Sequence, residues 1–199
     1  MKIYLLDINK EMTDAWRECF IFDNVEIVNE DFAAFMDKHP NIEAIVSPAN
    51  AFGLMDGGYD KAIIDYFGKE LMDDVQSKII AEWYGEQPVG TSMSVLIKGR
   101  EIPDDIFGVK NAIIIHTPTM RTPEIIKDWR IIYQCMRTTL IEAKKQEINS
   151  IVIPAFGGST GRVPCDEIAK MMYLAYKQIT NKPIELNWGY AWYIANKLR

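Results

Sequence analysis

The stretch IVSPANAFGLMDGGYDKAI, Ile45 to Ile63, decides the fold. Ala44 to Val46 is a short apolar run with the length and β-branching of a buried strand. A loop rich in Pro, Asn and Gly follows from Ser47 to Gly58. Tyr59, Ala62, Ile63, Tyr66 and Phe67 then fall on one face of a helix that Gly68 ends. A second stretch, IVIPAFGGSTGRVPCDEIA from Ile151 to Ala169, has the same grammar. A buried strand ends at Pro154, a Gly-rich loop runs to Val163, and Pro164 suits the first turn of a helix lined by Ile168, Met172, Ala175 and Ile179. Ligands of open α/β sheets gather beyond the carboxyl ends of such strands. Glycines there let backbone N–H groups approach an anion, which the helix N-terminus also favours.

The same alternation extends outward from both stretches. Ile3–Leu6, Val25–Val28, Ser94–Ile97 and Ala112–Ile115 read as strands. Met12, Ala15, Trp16 and Cys19 have helical spacing, as do Phe32, Phe35 and Met36, and as do Met72, Val75, Ile79 and Trp83. Ile125, Trp129, Ile132, Met136, Leu140 and Ala143 form a long helical stripe. Strands alternating with helices imply a sheet covered on both faces. No repeat or long linker divides the chain, so residues 1–199 are expected to form a single domain. Residues 1–24 read as an N-terminal strand and helix that add an edge strand. The aromatic tail, residues 185–199, has no clear assignment, and an exposed aromatic cluster there would leave room for a homo-oligomer.

Composition narrows the function. The 22 basic and 28 acidic residues leave a net charge of −6, which argues against a dedicated nucleic-acid binder. Three widely spaced cysteines and two histidines offer neither a zinc motif nor a disulfide framework, so a reducing cytoplasm is the expected compartment and no metal is expected. No run approaches the ~18 apolar residues of a membrane span. Neither GxGxxG after the first strand nor GxxxxGK[ST] occurs.

Together, SPAN at 47–50, GGYDKAI at 57–63, IIIHTP at 113–118 and Pro154-Ala155 through Pro164 resemble the signature of the macro domain family. The likeness spans roughly residues 25–180 and is nearest to the divergent branch carrying SPAN in place of NAAN. The resemblance implies a three-layer α/β/α fold with a mixed, mostly parallel sheet, here with an extra N-terminal strand–helix. It also implies ADP-ribose or an ADP-ribosylated substrate as the partner, with no cofactor. Some members only bind. Others hydrolyse ADP-ribosyl esters on acidic side chains, or remove the phosphate from ADP-ribose 1″-phosphate.

Carried over residue by residue, the resemblance makes Asn50 the residue on the distal ribose. A turn Asn bonded to its own loop is the alternative. Asp60 becomes the carboxylate that activates water, or else a first-turn acid facing the helix dipole. Asp31 becomes an acceptor for the adenine amino group, or else a helix cap. Gly57, Gly58, Gly157, Gly158, Ser159, Thr160 and Gly161 are the expected diphosphate grip. Ser47, which stands in for the first Asn, and Phe156, a candidate to stack on adenine, complete the expected ligand-binding set. Asp56 departs from the family by placing a carboxylate near the phosphates, and Val163 by replacing a Tyr. Three functions of different kinds remain: a hydrolase, a non-catalytic binding module for ADP-ribose or a related dinucleotide, and an interaction protein that has lost the ligand.

Overall fold

A computed structural model describes residues 1–104, 106 and 108–198. The strands are β1 (Lys2–Leu6), β2 (Val25–Val28), β3 (Ala44–Ser47), β4 (Met93–Asp104), β5 (Gly108–His116) and β6 (Ser150–Pro154). The helices are α1 (Lys10–Cys19), α2 (Phe32–Lys38), α3 (Gly58–Phe67), α4 (Glu70–Trp83), α5 (Arg130–Lys145), α6 (Cys165–Thr180) and α7 (Trp188–Lys197).

Residues alternate across each central strand, yet both faces are apolar. Ile3, Leu5, Val46, Ile113, Ile115, Ile151 and Ile153 face the layer that contains α1, α5 and α6. Leu6, Ile45, Ile114 and Val152 face α2, α3 and α4. A strand apolar on both faces must have helices on both sides, which is the three-layer arrangement. The six strands lie in the order β2-β1-β6-β3-β5-β4. Every neighbouring pair is parallel except β4 with β5. The sheet is therefore mixed and mostly parallel.

The N-terminal strand is not at the edge. β1 pairs with β2 on one side and β6 on the other, from Lys2↔Ser150 to Leu6↔Pro154. Its composition explains the correction: Ile3, Leu5 and Leu6 are at most 2 % exposed, so the strand's backbone groups need partners on both edges. α1 follows directly, capped by Asn9, whose side chain accepts from the Glu11 N–H.

Three further expectations are corrected. β4 and β5 extend well beyond Ser94–Ile97 and Ala112–Ile115, forming a long hairpin with an irregularity between Leu96 and Glu101. α5 begins only at Arg130, so Ile125 and Trp129 are outside it. The preceding segment instead carries Ile126 onto the second glycine loop, where its N–H donates to Gly161 O at 2.9 Å. The unassigned tail contains α7, capped by Asn187 and with no buried residue. Trp188 and Trp192 are largely exposed. The last residue of the 185–199 tail lies outside the described residues.

Candidate functional site

Three strand ends open on one cleft. β3 leads through the Ser47–Gly58 loop to the N-terminus of α3, β6 through the 155–164 loop to that of α6, and β1 through Asp7–Asn9 to that of α1. The cleft holds about 650 Å³, within the usual range for small-molecule sites. Its lining contains the carboxylates of Asp7, Glu30, Asp31, Asp56 and Asp60 but, among the described residues, no Lys, Arg or His. Any anion entering it must be held by backbone N–H groups and helix N-termini rather than by side-chain charge.

Most of the expected site residues meet there. Gly57, Gly58 and Asp60 line one side. Gly157, Gly158, Ser159, Thr160 and Gly161 line the facing side. Asn50 and Asp31 complete the rim. Ser47 and Phe156 do not reach the cleft: both are fully buried. Phe156 alternates with its neighbours off the end of β6 and packs in the core under α5 and α6. Ser47 is the last residue of β3 and points to α3, where its hydroxyl donates to Asp60 Oδ1 at 2.5 Å.

That bond shapes the most unusual group in the cleft. Asp60 is 8 % exposed and lies in the first turn of α3. Burial pushes its carboxyl up to about 7, while the Ser47 hydroxyl and its own N–H pull it down. Tyr59 beside it buries a phenol oxygen that has no hydrogen-bond partner among the described residues. Burial first, then the charges of Asp60 and Asp7, push that phenol well above its ordinary value.

The glycines serve two different ends. Gly157 sits at φ +76°, and a Cβ there would lie 2.8 Å from both Ile126 Cδ1 and Ile132 Cδ1. A Cβ at Gly161 would meet Gly157 O at 2.6 Å. The positive φ at Gly157 and the backbone oxygen facing Gly161 therefore favour glycine at both. By contrast, a Cβ at Gly57 would meet nothing within 4 Å, and its φ of −144° suits any residue. Nothing in the fold requires glycine at Gly57, whose backbone faces the open cleft.

Two side chains are occupied locally. Asn50 Oδ1 accepts from the N–H groups of Phe52 (3.1 Å) and Leu54 (3.3 Å), and its Nδ2 donates to Leu54 O (2.8 Å). One N–H of the amide is left for a ligand. Asp31 caps α2 by accepting from the Ala34 N–H at 2.9 Å. Asp31→Ala is expected to lower stability by about 1 kcal/mol through that cap alone, in urea melts without ligand. No loss at all would show the cap to be dispensable.

Other polar residues are anchored elsewhere. Arg121 pairs with Glu86 at 2.7 and 3.0 Å and lies over the Phe52 ring, so neither turns into the cleft. His116 is buried with Nδ1 2.7 Å from Gln87 Oε1, and burial pushes its imidazole down to about 4. Sequence reasoning missed Asp7, Ile8 and Asn9, which line the cleft from the β1–α1 corner. The signal was present: LLDIN is a third apolar strand running into a capped helix.

The fold and cleft define an α/β protein whose ligand site lies at the carboxyl ends of parallel strands. The family model for the macro domain matches residues 46–172, and the chain belongs to the macro domain family. A protein of Aquifex aeolicus is 27% identical over 143 residues, covering 72% of this chain and 78% of that one. The Oceanobacillus iheyensis macrodomain with ADP is 25% identical, with a TM-score of 0.56 and 69% of each chain covered. A mutant of that macrodomain with ADPR is 22% identical, with a TM-score of 0.57, over 79% of this chain and 84% of that one. Among the described residues no helix is long and apolar enough to cross a membrane.

Proposed function

We propose that this protein binds ADP-ribose in the cleft and hydrolyses an ADP-ribosyl bond there. The observation that carries the reading is the pair of glycine loops facing each other across an anion-receptive cleft without a basic side chain among the described residues. A diphosphate fits between the α3 N-terminus at Gly57–Gly58 and the Gly158–Thr160 turn, where N–H groups and the two hydroxyls donate. Solved macrodomains with ADP and with ADPR support the choice of ligand.

Asp60 is the group for the chemistry. A carboxyl held near neutrality by burial can both accept and release a proton at physiological pH. Water adds to the anomeric carbon of the distal ribose and its proton passes to Asp60. The bond to the departing carboxylate breaks with its electron pair. Asn50 steadies the distal ribose with its remaining N–H. Ser47 and Phe156 act from behind the cleft, Ser47 by holding Asp60 and Phe156 by supporting the second loop. The three thiols, unpaired among the described residues, suit a reducing compartment such as the cytoplasm. Because β1 pairs inside the sheet, we read residues 1–199 as one folding unit.

Calorimetric titration with ADP-ribose tests the binding, and release of ADP-ribose from an ADP-ribosylated acidic peptide tests the chemistry. Heat together with release is the expected result. Neither heat nor a thermal shift at saturating ADP-ribose would overturn both parts. Binding without release would select the non-catalytic module, a reading favoured by one observation: Asn50 already directs most of its hydrogen bonds to its own loop.

A further inference from the structure

The layer that contains α5 and α6 ends on a helix that its own chain hardly covers. A short helix is marginal in water unless one face of it is packed, yet α7 (Trp188–Lys197) has no buried residue. Its inner stripe, Tyr190, Ile194 and Leu198, is partly buried and lines a small pocket against Tyr133, Tyr173 and Leu174. There Gln178 Nε2 donates to Tyr190 Oη at 3.0 Å. The opposite stripe is bare. At 3.6 residues per turn, Trp188, Trp192 and Ala195 share one face. Trp188 is 78 % exposed and Trp192 57 %, with their rings 6.5 Å apart. Ile184, Leu186 and Tyr193 around them are exposed as well.

Composition, area and charge fit a second copy of this chain. Residues 186–196, LNWGYAWYIAN, contain no charged side chain. Aromatic surface free of charge is the make-up of the centre of a protein–protein interface. A helix lying on a lipid surface carries a polar face rich in Lys and Arg instead. Three aromatic side chains of about 150–250 Å² each, with Ile184 and Leu186 beside them, approach the roughly 800 Å² per partner of a standard interface. The ends of this stretch carry opposite charges, Glu185 before the Asn187 cap and Lys197 in the last turn. Glu185 accepts from Asn187 Nδ2 at 2.6 Å and Lys197 lies over the Tyr193 ring. Among the described residues neither has an oppositely charged partner. A twofold axis perpendicular to α7 makes two copies antiparallel, which sets Glu185 of one copy beside Lys197 of the other at both ends. The same register lays each Trp188 over the small Ala195 of the other copy and brings Trp192 to the axis.

We infer that α7 is the contact of a twofold homodimer, with Trp188 and Trp192 at its centre and Glu185 facing Lys197 across each of its two ends. Pairing supplies the packing that α7 lacks within one chain. It also takes place away from the cleft: α7 meets α6 at Gln178, about 20 Å along the helix from Cys165 at the cleft. The inference is therefore independent of which ligand the cleft takes.

The test is sedimentation equilibrium of the full chain across the micromolar range, for the parent, Trp192→Glu, Lys197→Glu and the double exchange Glu185→Lys with Lys197→Glu. Thermal melts establish that each variant is folded. The parent is expected to form a dimer. Trp192→Glu should weaken it by about 100-fold or more, since each dimer loses the ring twice and gains like charges at its axis. Lys197→Glu should weaken it about ten-fold by setting like charges together at both ends, and the double exchange should restore it. That rescue distinguishes a repaired contact from a merely altered helix. A parent that stays monomeric overturns the inference. A monomeric parent that sediments with phosphatidylserine vesicles also overturns it and gives the aromatic face to a lipid surface. A folded Trp192→Glu protein that dimerises as tightly as the parent places the contact elsewhere. A double exchange as weak as Lys197→Glu alone overturns the antiparallel pairing.

Discussion

Asp60→Asn is expected to make the protein more stable than its parent at pH 8 while lowering turnover by about 10²–10⁴-fold, the usual worth of a positioned acid or base. The stability argument follows from where the proton sits. In the unfolded chain the carboxyl titrates at its ordinary value of 3.8, and in the fold burial raises it to about 7. The folded state therefore holds the proton more tightly. Its advantage is complete below about pH 4, shrinks as pH rises through the interval, and is lost above about pH 7, where a buried carboxylate must be ionised. A difference of about three units corresponds to about 4 kcal/mol as an upper bound, and the amide escapes that cost. Its oxygen still accepts from Ser47, although its new N–H groups need partners in the cleft. Urea melts at pH 5 and pH 8 should show the variant gaining about 2–4 kcal/mol on its parent between the two. His116 titrates in the opposite sense: its folded value of about 4 removes stability as pH falls below about 6.5. It is present in both proteins and cancels from the comparison. A constant difference across pH would show that Asp60 is not buried as described. Full turnover by the variant would remove Asp60 from the chemistry.

Gly161→Ala is expected to lower stability by about 1–3 kcal/mol and to abolish ADP-ribose binding, whereas Gly57→Ala should leave stability within about 0.5 kcal/mol and still weaken binding. The difference lies in what each methyl would meet. At Gly161 the Cβ would stand 2.6 Å from Gly157 O and 2.7 Å from Ile126 Cδ1. A backbone oxygen cannot swing aside as a side chain can. The whole 157–161 turn would have to open, displacing its N–H groups from the cleft and loosening the Ile126–Gly161 hydrogen bond. At Gly57 the methyl would meet no protein atom and would project where a phosphate approaches the α3 N-terminus. Thermal melts and ADP-ribose titrations on the two variants separate the effects. If Gly57→Ala binds as tightly as the parent, the phosphate does not approach at Gly57, and the grip belongs to the second loop alone.

Much of this protein is legible from local sequence because its core strands are short, apolar and bounded by Gly, Pro or Asn. Ala44–Val46 and Ile151–Ile153 announce themselves as buried strands, and the glycine runs after them mark where helices begin. The period of α4, or of α6, is visible in its own residues for the same reason. The long hairpin is less legible, since Lys98–Glu101 lack the alternation of a half-buried strand, and the ladder there depends on its partner.

The sequence by itself determined the alternation, the three-layer class, the two glycine loops and the carboxylate behind them. Each depends on chemistry within a few residues: apolar periodicity, turn-forming residues, and the first turn of a helix. Only the tertiary structure decided the place of β1, because strand order depends on which edges find partners and not on any strand's own pattern. That placement brings Asp7 and Ile8 to the cleft. Tertiary packing also directed Ser47 to Asp60 and turned Phe156 inward, since one residue of alternation at a strand's end chooses between core and cleft. It divided the glycines as well: the folded second loop holds Gly157 at a positive φ and sets its carbonyl oxygen against Gly161, while Gly57 stays free to face a ligand.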